Sequence, residues 1–382
     1  MNLVFASDSF KGSLSSQTIA GILTEEAQLA FPGCGTASVP VADGGEGTLD
    51  AVLSALGGTR RKVDISGPLF EPAQGEYGLL ENHTALIELA QAAGLTLVPP
   101  SRRDPRYTTT YGVGELILDA LEQGCTTIYL ALGGSATNDG GIGAMSALGI
   151  RFLDDRGREL SGVGADLTQV RHIDRSGLHP AVARTKFIVM SDVTNPLLGR
   201  QGATYTFGPQ KGAEEPVLQE LESGMDRYAR LMSQTTGVSI ATVPGGGAAG
   251  GMGAACLAFL GAEIRSGIQT VLDLAGFDSL LAQADLVVTG EGRLDGQSVQ
   301  GKAVSGIAHR CQKRGVPVLA IAGSLGEGYE ALLSQGISGI MTLPNRPMPE
   351  ELAMEEAQEL YRNAARRAFL LLKLGQRLQG RD

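Results

Sequence analysis

The sequence predicts an α/β fold in which a doubly wound parallel-sheet domain is assembled from both ends of the chain and the middle is inserted as a second α/β domain. Three observations lead there. Continuous apolar runs such as "NLVF", "LVVTG", "PVLAIAG" and "ISGIMTL" read as strands buried on both faces, the habit of parallel sheets. Each run is followed by a polar, glycine-bearing loop and then by a helical pattern, the alternation that builds βα units. With 382 residues and 43% hydrophobic content, the chain exceeds the size that one core usually serves, so two domains are expected.

The elements follow in order. After "NLVF" and the loop "ASDSFKGS", Ser15 caps a helix, Leu14 and Ile19 form a hydrophobic staple, and Ile19, Ile22, Leu23 and Ala27 share one face. "ASVPVADGGEG" repeats the plan with a strand ending at Asp43, followed by a helix through "TLDAVLSALGG" that stops at Gly57 and Gly58. From Lys62 to about Leu97 the runs become shorter and alternate, as paired strands do. This predicts a junction near residue 64, with 1–64 and 283–382 in the two-ended domain and 65–282 in the insert. Within the insert come a helix through "GELILDALEQG", the strand "TIYLALGG", the loop and helix "SATNDGGIGAMSALG" and the strand "KFIVMSDVTNP". The final third reads as a strand in "ADLVVTGEG", a helix through "AVSGIAHRCQKRG", the strand "PVLAIAGS", a helix through "GYEALLSQG", the strand "ISGIMTLP" and a long helix from about Glu350.

Composition excludes several function classes. A net charge of −10 argues against a broad basic face for nucleic acid. Cys34, Cys125, Cys256 and Cys311 form no C-x-x-C pair, and His83, His172, His179 and His309 show no H-E-x-x-H spacing, so neither a disulfide framework nor a zinc site is indicated. The N-terminus lacks a signal-peptide pattern, and no window approaches the roughly 20 apolar residues of a membrane span. A cytoplasmic protein is expected, monomer or homodimer, with no membrane or nucleic-acid partner.

Ligands of open parallel sheets sit beyond the carboxyl ends of the strands. Five such ends deliver candidates: Asp8 and Lys11; Asp43 and Glu46; Ser135, Thr137, Asn138 and Asp139; Asp192 and Asn195; Glu291, Arg293, Asp295 and Lys302. Any one loop could be an ordinary turn or helix cap. Their recurrence supplies the mixture a magnesium nucleotide needs: backbone N–H groups for phosphate oxygens, carboxylates for the metal, and cations for charge on the transferred group.

Two glycine patterns carry less. "GQSVQGKA" fits the phosphate-cradling pattern G-x-x-x-x-G-K-[ST] except that Ala303 stands at the metal-binding hydroxyl, and the pattern does not follow its strand directly. A phosphate role for Lys302 survives only if metal ligands come from neighbouring loops. "GGGAAG" at Gly245–Gly250 fits a dinucleotide fingerprint, but the preceding proline spoils the strand context, so close packing or a backbone anion nest is the better reading.

Taken in order, "ASDSFKGSLS", "VPVADGGEGT", "GGSATNDGG", "SDVTNPLLG", "FGPQKGA", "GAAGGMGA" and "TGEGRLDGQSVQGK" resemble the successive motifs of the bacterial glycerate kinase family, in its glycerate 2-kinase branch. The resemblance spans essentially the whole chain. It implies ATP-dependent, magnesium-assisted phosphorylation of D-glycerate to 2-phosphoglycerate, the alternative being 3-phosphoglycerate or another small hydroxy acid. It also implies a Rossmann-like domain formed by both chain ends, an inserted α/β domain, and an active site in the interdomain cleft. On this footing Lys302 and Lys11 are expected to bind phosphate or carboxylate, with Asp8 beside them in the catalytic set, and Asp192 to act as the base. Arg293 is expected to clamp the glycerate carboxylate, Ser135, Asn138, Asp139 and Asn195 to hold the substrate, and Asp43, Glu46 and Asp295 to serve the metal.

Overall fold

The computed structural model describes residues 1–10, 12–42, 44–296, 298 and 303–379. The chain opens with β1 (Asn2–Ser7) and β2 (Gly35–Ser38). It runs on through β3 (Thr59–Ser66), β4 (Pro72–Leu80), β5 (Thr84–Glu88), β6 (Thr127–Ala131), β7 (Arg151–Leu153), β8 (His172–Asp174), β9 (Lys186–Met190) and β10 (Glu263–Arg265). β11 (Leu286–Leu294), β12 (Val318–Leu325) and β13 (Ile337–Thr342) close it. Two compact units result: Met1–Asp43 with Ile268–Asp382, and Gly44–Gly267.

In the first unit the strand order is β13-β12-β11-β1-β2, and every pairing is parallel. β1 alternates as a doubly covered strand must. Leu3 and Phe5 enter a core with the helices Ser16–Ala30 and Ala357–Gln379, while Val4 and Ala6 enter a second core with Ile268, Leu272, Ile307 and Cys311. Ser15 caps the first helix by accepting the Thr18 N–H at 3.1 Å, and Leu14 and Ile19 are both buried.

An ion pair between the buried Glu26 and two partly exposed arginines joins the first helix to the last. Glu26 accepts from Arg366 through both oxygens, Nε at 2.9 Å and Nη2 at 3.0 Å, and from Arg362 at 3.3 Å. The Arg366 hydrogen bond, helped by Arg362, holds the Glu26 carboxyl below its ordinary value although burial pushes the other way. A depressed carboxyl contributes stability that is present above its unfolded pKa near 4.5 and is lost as pH falls through the folded value. Glu26→Gln is therefore expected to flatten the acid side of the stability profile, read by thermal unfolding between about pH 3 and 6.

In the second unit the order is β10-β9-β6-β5-β4-β3. β5, β6, β9 and β10 are parallel, whereas β3, β4 and β5 run antiparallel. β7 and β8 form a separate two-stranded ribbon. Glu88, Ala131, Met190 and Arg265 stand in one row, so the loops after all four parallel strands leave from a common edge.

The structure moves several expected boundaries. The junctions fall at 43/44 and 267/268, not near 64 and 282. β3 pairs along its whole length with β4, and Leu49 of the helix Thr48–Leu56 bonds to Glu88, which carries this segment into the second unit. At the other end, Arg310 binds Gln269 and Asp273, and Ile268, Leu272, Phe277 and Leu281 share a core with Val287. The second strand stops at Ser38 and not at Asp43, β11 continues to Leu294, and the last helical region is two helices, Glu350–Glu355 and Ala357–Gln379.

Candidate active site

β1 lies between β2 and β11, so the winding of the first sheet reverses at the β1/β11 pair. Such a reversal splays the flanking loops apart and opens a crevice at the carboxyl edge. Ser7 pairs with Gly290 where β1 ends, and the Asp8 N–H extends the ladder by donating to the Gly290 carbonyl at 2.9 Å. One Asp8 oxygen accepts the Ser9 N–H at 2.7 Å.

β11 outruns β1, carrying Glu291 and Arg293 onward along β12 opposite Ala322 and Ser324. These two residues, expected in a loop, are thus strand residues held in register. Asp295 follows with its N–H on Ser298 Oγ at 3.2 Å, and the exposed Arg293 guanidinium stands 3.6 Å from an Asp295 oxygen. Lys11, Asp43 and Lys302 lie outside the described residues, as do Gln297, Val299, Gln300 and Gly301 of "GQSVQGKA". Ala303 is buried and opens the helix Ala303–Arg314.

In the second unit the segment Gly44–Thr48 crosses the carboxyl edge of the sheet. The Gly133 N–H donates to the Gly44 carbonyl at 3.1 Å, and a Cβ on Gly133 would stand 2.4 Å from the Gly45 Cα, so only glycine allows this approach. Glu46 is exposed, with its side chain against Gly134. Glu88 anchors the segment from below, accepting the Leu49 N–H at 2.7 Å at the start of the helix Thr48–Leu56. Burial pushes its carboxyl up against the lowering effect of that N–H.

The loop Ser135–Asp139 after β6 is buried and fastened on every side. Asp139 accepts from Thr110 N–H at 2.8 Å, Thr110 Oγ1 at 2.7 Å, Gly141 N–H at 3.1 Å and Gly143 N–H at 3.3 Å. Desolvation nevertheless pushes its carboxyl up. With its oxygens bonded to these donors, Asp139 organises the loop from inside. Ser135 Oγ accepts the Thr137 N–H at 3.1 Å, and Asn138 gives its amide to Thr204 Oγ1 at 3.3 Å while its Oδ1 is buried without a partner.

Gly250, from "GGGAAG", seats this loop. It has φ of +65°, and a Cβ there would stand 2.0 Å from the Thr137 carbonyl oxygen. Close packing is therefore the role of that glycine run. Gly250→Ala combines backbone strain with a collision and is expected to lower the unfolding temperature by several degrees, measured by calorimetry.

After β9, Asp192 Oδ1 accepts the Gly267 N–H at 3.1 Å, and Asn195 braces its own loop by donating to the Gln201 carbonyl at 2.7 Å. A carboxylate held by a backbone donor is oriented, as a group that receives a proton from an acceptor hydroxyl has to be.

A model of the glycerate kinase family matches residues 3–373. The chain belongs to the glycerate kinase family. It is 42% identical to a glycerate 2-kinase of Escherichia coli over 381 residues, covering 100% of both chains. It is likewise 42% identical to a glycerate kinase of Halalkalibacterium halodurans over 365 residues, covering 95% of this chain and 96% of that one. A crystal structure of a protein assigned as glycerate kinase 2 from Salmonella typhimurium LT2 superposes with a TM-score of 0.90 at 41% identity, covering 99% of each chain.

Glycerate kinase family membership makes a magnesium nucleotide relevant, and the donor chemistry fits one. Among the described residues no group of three or more His, Cys, Asp or Glu side chains forms a ready-made metal cage. Magnesium in phosphoryl-transfer sites is characteristically held by one or two carboxylates plus substrate phosphates, so a carboxylate such as Asp8, Asp295 or Glu46 suits it without a preformed cage. Two residues of this family member escaped the sequence reading. Glu88 ends a strand whose sequence marks no site, and Lys211 of "FGPQKGA" gives no local sign that its ammonium group is buried.

Proposed function

We propose that the protein transfers the γ-phosphoryl group of ATP to the 2-hydroxyl of D-glycerate, giving 2-phosphoglycerate. The observation that carries this reading is the full-length likeness to glycerate kinases in a chain whose carboxyl-edge loops present acids, amides and cations. In the first unit Asp8, Arg293 and Asp295 flank the switch point, with Lys11 and Lys302 assigned by sequence to phosphate or carboxylate binding. In the second unit Ser135 and Asn138 bind glycerate, Asn195 orients it, and Asp192 takes the proton of its hydroxyl. Magnesium, when bound with the nucleotide, would supply positive charge to offset that of the phosphate oxygens. Glu46 and Asp295, with Asp43 from the sequence, are the carboxylates assigned to it. Arg293 and the lysines counter the repulsion between glycerate and the nucleotide, a task for fixed cations. The enzyme acts in the cytoplasm, where ATP is supplied.

The test is direct. Incubation with ATP, magnesium and D-glycerate, followed by phosphorus and proton NMR of the product, is expected to yield 2-phosphoglycerate. Formation of 3-phosphoglycerate overturns the position of transfer. The lack of any phosphoglycerate overturns the activity.

A further inference from the structure

Lys211 is 2% exposed, at the end of the short turn Pro209–Lys211. Its Nζ donates to the Thr137 carbonyl at 2.5 Å and lies 3.4 Å from Ser135 Oγ. A buried ammonium is costly, and no carboxylate among the described residues is in contact with it: the charge it feels is that of Asp139, whose own oxygens are taken. Such an arrangement calls for a reason beyond stability.

The Thr137–Asn138 peptide supplies one. No peptide bond among the described residues is cis, so the Thr137 C=O and the Asn138 N–H point in opposite directions. With the carbonyl drawn toward Lys211, the N–H faces away from it and has no acceptor among the described residues. Buried backbone donors are nearly always paired, so an aligned, unused N–H backed by a cation has the character of an anion site.

We propose that Lys211 is a positioning residue for glycerate: by holding the Thr137 carbonyl inward it presents the Asn138 N–H to the substrate carboxylate and adds positive potential behind it. This rests on the assignment of the Ser135–Asn138 loop to glycerate. Lys211 does not touch the substrate; it acts through the peptide group.

Charge at Lys211 is adjustable, because burial pulls its pKa down to about 7 while Asp139 pushes it up. The other ionisable groups around the loop are Tyr228 against Gly140, whose hydroxyl burial keeps neutral, Glu46 against Gly134, and Arg103, whose carbonyl abuts Gly212. As pH rises through the Lys211 pKa the ammonium charge is lost, and affinity for glycerate falls with it.

The experiment is steady-state kinetics of the full chain with D-glycerate and magnesium ATP from about pH 6 to 9, on the wild type and on Lys211→Met, Lys211→Gln and Lys211→Arg. Met and Gln are expected to raise KM for glycerate by about tenfold or more with KM for ATP within about twofold. Arg, charged throughout, is expected to recover part of the loss and to remove the alkaline rise in KM seen in the wild type. If the Met and Gln variants fail to fold, the wild-type and Arg pH profiles carry the test. Folded Met or Gln variants with wild-type KM for glycerate, or a wild-type KM that is flat across the range, overturn the proposal. Ser135→Ala and Asn138→Ala separate the two layers. If they raise KM for glycerate while Lys211→Met does not, the loop assignment stands and Lys211 falls; if none of them moves it, the loop assignment itself is wrong.

Discussion

Asp192→Asn is expected to lower kcat by about two to four orders of magnitude, the usual contribution of a positioned general base. KM values and unfolding temperature are expected to stay near those of the wild type. The substitution separates two roles of one side chain. The amide oxygen of Asn can still accept the Gly267 N–H, so the tie between the end of β9 and the helix Gly267–Leu274 survives. What an amide cannot do is take the proton of the acceptor hydroxyl. Rapid-quench and steady-state measurements with saturating D-glycerate and ATP check this, and a kcat within about threefold of the wild type would reduce Asp192 to a structural tie.

Asp139→Ala is the change with the largest expected effect on stability. It leaves the Thr110 hydroxyl and the N–H groups of Thr110, Gly141 and Gly143 without their acceptor inside the protein. Breaking a buried charged network of this kind costs about 3–5 kcal/mol, which corresponds to a fall of roughly ten degrees in the unfolding temperature of a unit this large. Activity should vanish with the loop. Asp139→Asn is expected to lie between, because its amide keeps one acceptor oxygen but turns a donor toward the N–H groups. The sign with pH is opposite to that of Glu26. Burial raises the Asp139 carboxyl, so its ionisation weakens the folded state as pH rises above its unfolded value near 3.8. Thermal unfolding from about pH 3 to 8 measures both effects.

Much of the fold was legible because doubly buried strands must be apolar throughout and their loops must be polar. "NLVF", "TIYLA" and "KFIVM" all appear as strands of parallel sheets. The length of β11 was not legible, since "GEGRL" has little strand propensity and is held extended by β12. Nor were the junctions, because whether β3 joins one sheet or the other depends on β4, a partner chosen in three dimensions. At the site, residue type revealed which loops carry chemistry but not which side chains face inward. Asp139 reads like any turn aspartate, and Lys211 like any surface lysine, until the packing of Thr110 and Thr137 around them is known.

The placement of β1 has a consequence for how the protein is made. This strand is synthesised well before its neighbour β11, which begins only at Leu286. At about 5–20 residues per second, tens of seconds of synthesis separate the two. Gly44–Gly267 is contiguous and can fold meanwhile, whereas Leu3, Val4 and Phe5 must wait with one edge unpaired. The nascent β1 segment is thus the one most in need of protection by chaperones or of fast translation, and slowing elongation within the insert should lower the soluble yield more than slowing it after β13.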